Sequence, residues 1–394
     1  MSDTKRYTMT SFIMKLRETG QKHPIFVILS IAFIFRLFVA ILLPDSGDFN
    51  IRERFLYFKM PIAWIDESTE YLSSQTYDEP QGISLFYLSL NYAWLALFKF
   101  IGINDISWLT FIGRLLHAFI SLLVISFGYR MAELLSNKRT AIMVASALAL
   151  FWFMPFVSIQ TIPAFVCITF LMYATLIILR QEINRYESRS TNVHRTSFII
   201  AGFFLGLGFS TYYLCMPYIL GIILALMLRK NIKNALTTLL GFIISMSIAL
   251  VVPDLLVWGK PFAELTVFIE NAPELTFFKT FSLLDIAFIM LALILPLSIM
   301  LLCGFFKNWK KKLLLFLPTI FTILFFILSN TDAWFLLPVF PLFLLLGITG
   351  WKEIIDNSSF WQKHITLHKV LIGISLFFNF TLFFFDYNSL IINY

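Results

Sequence analysis

The run PIFVILSIAFIFRLFVAILL, Pro24 to Leu43, passes directly into PDSGDFNIRERFLYFKMPIAWIDESTEYLSSQTYDEPQ, Pro44 to Gln81. The first stretch is apolar for the length a helix needs to span a bilayer core of about 30 Å. The second is the longest polar interruption in the chain. It opens on two carboxylates, Asp45 and Asp48, where a membrane helix meets water, and closes on Asp78 and Glu79. Carboxylates so placed can take a proton from an acceptor hydroxyl. The alternative is that they only keep a loop solvated.

The rest of the sequence repeats this alternation. Of 394 residues, 59% are hydrophobic and 13% charged, with a mean hydropathy of +0.82, so the chain lacks the polar surface of a soluble protein. The fold class expected is an all-α polytopic membrane protein. The net charge of +7 comes from Lys and Arg in small groups between apolar runs. The positive-inside rule explains that distribution, and nucleic-acid binding is not supported. Cys167, Cys215 and Cys303 are scattered within apolar segments without metal-ligand spacing.

Residues 1–24 form a basic N-terminal segment, read as cytoplasmic, and 25–394 a single transmembrane domain. Basic connections follow at Arg130 to Arg139, Arg180 to Arg195, Arg229 to Lys233, Lys307 to Lys312 and Lys352 to Lys369. These read as cytoplasmic. Connections poor in Lys and Arg, at Pro155 to Pro163, Ser210 to Pro217, Pro253 to Lys279, Ser329 to Pro338 and Asp386 to Tyr394, read as outer.

Parity then poses a problem, because two apolar runs lie between outer Gln81 and cytoplasmic Arg130. The preferred resolution lays Ile83 to Ile101 along the outer interface as an amphipathic or re-entrant helix, extending the outer loop over about 44–107 and giving about eleven crossings. The rival has both runs crossing and a later pair miscounted. Arg36, inside the first span, either faces the interior, where an acid or an anionic headgroup pairs with it, or snorkels to an interface. Arg114 and His117 share a helix face, and His117 reads as a buried polar contact.

Nearly every acid lies in a connection, which disfavours a proton- or ion-coupled transporter. Polar and aromatic residues gather instead in the outer connections, among them Gln160, Asp254, Trp258, Lys260, Glu264, Asn271, Asn330 and Asp332. Such a cluster suits a substrate with a lipid tail and a polar head.

Four pieces of the sequence, in order, resemble one enzyme family. Ser329-Asn330-Thr331-Asp332-Ala333-Trp334-Phe335-Leu336-Leu337-Pro338-Val339-Phe340-Pro341 resembles the H-K-E-x-R-F-L-x-P-x-x-P segment of the polyprenyl-phosphate-mannose-dependent mannosyltransferases that build lipid-linked oligosaccharides and GPI anchors. Asp254 through Gly259, Phe262 and Asn271 resembles the family's D-x-x-x-Y-G-x-x-x-F…N, with Phe262 one place early. Pro44-Asp45 resembles its H-P-D-E. Gly113-Arg114-Leu115 resembles the Arg-Leu that opens an early span in the wider GT-C glycosyltransferase fold.

The resemblance implies a GT-C bundle and inverting transfer of a sugar from a polyprenyl-phosphate donor to a glycan or glycolipid acceptor. Asp45 or Asp48 would be the base, and Arg36, Arg114, Gln160, Asp254, Lys260, Asn330 and Asp332 would contact substrate. Asp332 has a second possible role, capping a span begun by Phe335. No cofactor is implied. A divalent cation on the donor phosphate remains compatible, since it needs only one or two carboxylates. Asn330-Thr331 and Trp334 replace the family's His-Lys and Arg, Ser46 replaces a Glu, and Gln160-Thr161 stands where Arg-Thr is usual. Neutral residues cannot supply the same charge-assisted bonds. Lys260, Arg36 or Arg114 replaces those cations, or the substrates differ, or the chain is an inactive relative that acts as an assembly partner. A lipid-linked-sugar flippase is the alternative from another class. Short loops and the lack of a retention signal favour a bacterial inner membrane over the endoplasmic reticulum.

Overall fold

The computed structural model describes residues 23–43, 57–58, 60–65, 79–187, 195–271, 296–307, 309–328 and 333–392. Among these, all regular structure is helical. The main helices are α1 (Pro24–Leu42), α2 (Leu85–Phe100), α3 (Ile106–Leu135), α4 (Lys138–Leu150), α5 (Pro163–Glu187), α6 (Arg195–Thr211) and α7 (Met216–Leu228). They continue with α8 (Ile232–Met246), α9 (Val252–Trp258), α10 (Ala263–Glu270), α11 (Leu297–Phe306), α12 (Leu313–Leu328), α13 (Phe340–Asn357) and α14 (Ile365–Ile392). Among the described residues, six helices are long and apolar enough to cross a membrane, and five shorter apolar helices accompany them.

Local chemistry sets the helix ends. Ser84, Asp105 and Asn137 accept from the amides of Tyr87, Ser107 and Thr140, satisfying otherwise orphaned donors at the starts of α2, α3 and α4. The central core is apolar and crosses several helices, with Val144, Leu148, Phe165, Ile168, Leu171 and Leu345 all fully enclosed.

Between apolar helices in lipid, association depends on close packing rather than on expulsion of water. Glycines supply it here. A Cβ on Gly202 of α6 would stand 1.9 Å from the Thr238 carbonyl oxygen of α8, and one on Gly304 of α11 would stand 1.9 Å from the Gly347 carbonyl oxygen of α13. Gly304→Leu therefore cannot be absorbed by a side-chain shift. Overpacking costs about 1–3 kcal/mol even where side chains can yield. Here the obstacle is backbone, so the variant is expected to lose most of the monodisperse protein seen by size-exclusion chromatography after detergent extraction.

α2 does not run through the bundle. Its Tyr87 hydroxyl meets His117 Nε2 at 2.8 Å, its Trp94 indole lies over Gly113, and Leu95 joins Leu109 in one apolar cluster. It therefore runs antiparallel to the first turns of α3, and residues 101–105 return the chain to Ile106. His117 to Ile106 is only about 16 Å of helix. Both ends of α2 lie in the same half of the molecule, the arrangement a non-crossing helix requires.

Besides contacts within the bundle, such as those of Arg36 and of Thr175 with Tyr218, polar contacts gather at its two ends. At one, Leu43 accepts from Arg114, and Gln81 to Ser84, Ser210, Tyr213, Trp258 and Glu264 are linked by hydrogen bonds. At the other, Glu182, Arg229, Asn231, Lys311, Lys312 and Glu353 are. The first set comes from the connections read as outer, with Leu43 closing α1 and Ser84 opening α2. The second comes from the basic connections and the helix turns that flank them.

Three boundaries differ from the sequence expectation. Pro253 does not open a connection: α8 continues through a π-type segment, Ser247–Val251, into α9, and the chain turns only at Gly259 (φ 67°). Proline lacks an amide and its ring crowds the preceding turn; widening that turn to i→i+5 bonding lets the helix proceed. Phe335 does not begin a span, since Ala333–Val339 is a 3-10 segment and α13 starts at Phe340, with Pro341 in its first turn where a missing amide costs nothing. The segment from Asp386 is not a loop either, because α14 continues to Ile392.

Candidate functional site

The polar loop from Pro44 to Gln81, described at residues 57–58, 60–65 and 79–81, is flanked by two stems. Each stem is held by a buried charged side chain that grips backbone. At the first, Arg114, two turns into α3, donates through Nη1 to the Leu43 carbonyl at 2.7 Å and to the Ala40 carbonyl at 3.4 Å. These are carbonyls that the end of α1 leaves without intrahelical partners, and a cation there also complements the helix dipole. Leu43 immediately precedes Pro44-Asp45. Asp45 and Asp48 themselves lie outside the described residues.

At the second stem the signs reverse. Glu264, fully buried, accepts through Oε2 from three successive amides, Gln81 at 2.9 Å, Gly82 at 2.6 Å and Ile83 at 2.9 Å. Its Oε1 accepts from the Trp258 indole at 3.0 Å. Consecutive amides turned inward make an anion-binding nest, and the carboxylate fills it. Gly82 makes this turn possible. Its φ of +75° suits glycine, and a Cβ would press to 3.1 Å against the backbone of Phe268. Burial pushes the Glu264 carboxyl above its ordinary range; the three amides and the indole pull it down without cancelling that effect.

The stretch Asp254 to Glu264 is built to present this carboxylate. Asp254, in the first turn of α9, is buried and accepts through Oδ2 from the Glu264 amide at 3.3 Å. Gly259 and Phe262, both left-handed, form the turn between α9 and α10. The three residues of the motif-like stretch thus have structural tasks: Asp254 ties the turn, Trp258 donates to Glu264, and Gly259 permits the reversal. Lys260 stands exposed on that turn.

A continuous polar and aromatic path joins the two stems. Ser84 Oγ donates to the Ser210 carbonyl at 2.5 Å, the Tyr213 hydroxyl donates to the Ile83 carbonyl at 3.3 Å, and Tyr57 stacks edge-on against Tyr87. Tyr87 in turn meets His117. His117 Nδ1 faces the Gly113 carbonyl at 2.8 Å, which can only accept. In the neutral ring Nδ1 therefore carries the proton and Nε2 accepts from Tyr87. His117 is the buried polar contact its helix position suggests, and it locks α2 to α3 one turn from Arg114.

The remaining candidates fall elsewhere. Arg36 faces the interior, the first of the two expectations, but its hydrogen-bond partners among the described residues are a hydroxyl and two carbonyls, where an acid was expected. Fully enclosed, it donates to Ser121 Oγ at 2.6 Å and to the carbonyls of Ala32 at 3.1 Å and Ala149 at 3.2 Å. It pins α1 to α3 and α4 and, being enclosed, presents no surface to a ligand. Gln160 is buried in the link between α4 and α5, its carbonyl accepting from Ile162 at 2.8 Å. Asn330 and Asp332 lie outside the described residues, just before the 3-10 segment that leads into α13. Glu264 is the residue whose importance sequence reasoning missed. It appears there only as one polar residue among several, because the three amides it accepts from lie more than 180 positions away.

No protein-family model matches the sequence, and no curated protein does. Solved structures do resemble it. The archaeal oligosaccharyltransferase AglB from Archaeoglobus fulgidus, in complex with an inhibitory peptide and a dolichol-phosphate, superimposes with a TM-score of 0.60 at 12% identity over 94% of this chain. The Archaeoglobus fulgidus oligosaccharyltransferase in its apo form gives 0.56 at 13% identity over 92%. The chain spans 56% of the length of each. At such identity the likeness is one of fold, and it agrees with the bundle described above: the chain is an all-α polytopic membrane protein with a GT-C fold.

Proposed function

We propose that this chain is a membrane glycosyltransferase that moves a sugar from a polyprenyl-phosphate donor to a glycan or glycolipid acceptor at the outer face of the membrane. The observation that carries the reading is the double anchoring of the acidic loop. Arg114 and Glu264 fix its two stems to a rigid bundle. A base must be held within a fraction of an ångström of its productive position, and a loop tied at both ends to packed helices provides the support for that.

Within this reading, Asp45 or Asp48 takes the proton of the acceptor hydroxyl as it attacks the sugar carbon, and the lipid phosphate departs with the bonding electrons. Lys260, exposed on the turn between α9 and α10, is the cation proposed to meet that phosphate, and Gln160, Asn330 and Asp332 are the further substrate contacts that the resemblance implies. Arg114 and Asp254 position rather than bind. Polyprenyl-phosphate mannose is the first donor to try, on the resemblance of the Asp254 and Asp332 stretches to mannosyltransferase motifs, and a bacterial inner membrane is the favoured setting.

Purified protein in liposomes, given a labelled polyprenyl-phosphate sugar and an acceptor extract, is expected to yield labelled acceptor. The double variant Asp45→Ala/Asp48→Ala is expected to lower the rate at least about a hundredfold, the scale of a general base. Full activity in that variant would refute the assignment of the base. Donor crossing the bilayer with its sugar–phosphate bond intact would mark a flippase. Donor binding without turnover would mark an inactive relative, the reading that neutral Asn330, Thr331 and Trp334 would then explain.

A further inference from the structure

The end of the bundle away from the acidic loop carries a cavity of about 630 Å³ between α3, α5, α7 and α12. Its apolar wall is Leu135, Leu179, Ile183 and Leu228, while Arg229, Lys230, Lys310, Lys311 and Lys312 contribute the rim. Three of these cations meet protein groups, Lys310 only through the Trp309 ring, over which its Nζ lies 5.6 Å from the centroid. Lys312 Nζ lies 2.9 Å from Glu353, and Arg229 pairs with Glu182 at 3.9 Å while donating to the Lys311 carbonyl at 2.6 Å. Glu182 is already shared with Asn231, at 2.5 Å, and Arg185, at 3.8 Å. Lys230, Lys310 and Lys311 are exposed, and among the described residues none of them has an ion pair.

Two features show that this rim has a defined shape. Lys230 adopts φ 56°, which side-chain-bearing residues rarely take, and the following amide bonds back to Leu226 at 3.0 Å, so the turn is held where it is. Arg229 clamps the Lys311 backbone, fixing the α7 end to the start of α12. The cavity is thus half hydrocarbon and half cation. A free phosphate would use only the rim. From Arg114 to Leu135 along α3 is about 31 Å, close to the thickness of a bilayer core, which sets the cavity at the opposite membrane boundary.

We propose that this cavity is a binding site for an anionic phospholipid, its phosphate headgroup held by Lys230, Lys310 and Lys311 and one acyl chain lying along Leu135, Leu179, Ile183 and Leu228. Basic pockets between helices at a membrane boundary have the charge and the apolar contact such lipids need. The proposal is independent of the glycosyl-transfer reading, and its test measures no transfer.

The full chain, in micelles of neutral detergent, is titrated with fluorescent phosphatidylglycerol and with phosphatidylcholine of equal chain length. Saturable binding of the anionic lipid alone is expected. K230Q/K310Q/K311Q is expected to weaken it about tenfold or more, and Leu228→Ser to weaken it with the lysines intact. K363Q/K369Q, which removes two exposed cations elsewhere on the chain, leaves it unchanged. Equal loss in that control pair, or unchanged affinity in the triple variant, would overturn the proposal. Displacement of the lipid by glycerol 3-phosphate at matching concentration would overturn it too, marking a site for free phosphate.

Discussion

Glu264→Ala is expected to lower the stability of the folded protein by about 3–5 kcal/mol, because it strips one acceptor from three successive amides and an indole at once. Gln81 can turn to water. Gly82 and Ile83 cannot do so without breaking the turn that carries the chain into α2. Glu264→Gln is the informative partner. Its carbonyl oxygen can still face the amides, but its amide group would present a donor to the Trp258 indole, a conflict worth about 1–2 kcal/mol. Midpoints of thermal unfolding in detergent should therefore rank wild type, Gln, Ala. The pH dependence has a defined sign. Since burial raises the Glu264 carboxyl in the folded chain, the folded state holds its proton to higher pH than the unfolded state does. Stability from this group is fully present below the ordinary carboxylate value and is lost as pH rises through the raised one. The advantage of wild type over Gln should accordingly narrow across that window, and a widening would show that the nest, rather than burial, governs the group.

What the sequence made legible follows from which forces act locally. α1 is written in an apolar run broken only by Arg36, and the basic connections in clustered Lys and Arg, because crossing a bilayer and choosing a side depend on composition alone. Helix starts at Ser84, Asp105 and Asn137 were similarly open to reading, since a cap is satisfied within three residues. Close backbone approach at Gly202 and Gly206 also has a local signature, their small-xxx-small spacing. Arg36 was not legible. A buried guanidinium leads one to expect an anion, whereas this one is satisfied by a serine and two carbonyls from three helices. Pro253 misled for a related reason: proline signals a break unless the preceding turn can widen, and tertiary packing decides whether it does. The pairing of Glu264 with Gln81 to Ile83 is a contact of fold, and no window of sequence contains both sides of it.

Arg114 gives the second large effect, and it separates positioning from binding. Arg114→Met keeps much of the side chain's apolar bulk but leaves the Leu43 and Ala40 carbonyls without their donor. The end of α1 then keeps its apolar packing against Phe111 and Ala118 of α3 but loses the polar tie at the residue before Pro44-Asp45. Arg36, deeper in α1, still pins that helix to α3 and α4, so the bundle is expected to survive with a cost of about 1–3 kcal/mol. Under the proposed function, the base would sit on a frayed stem. A displacement of about 1 Å is enough to cost on the order of a hundredfold in rate, so kcat should fall on that scale while the KM for the lipid-phosphate donor changes little. Arg114→Lys should recover part of kcat, because both carbonyls are met by one nitrogen, Nη1, whose place a shorter ammonium takes only in part. The opposite split, with KM raised and kcat retained, would mean that Arg114 contacts the donor phosphate itself. The acidic loop would then owe its position chiefly to the Glu264 nest at its other stem.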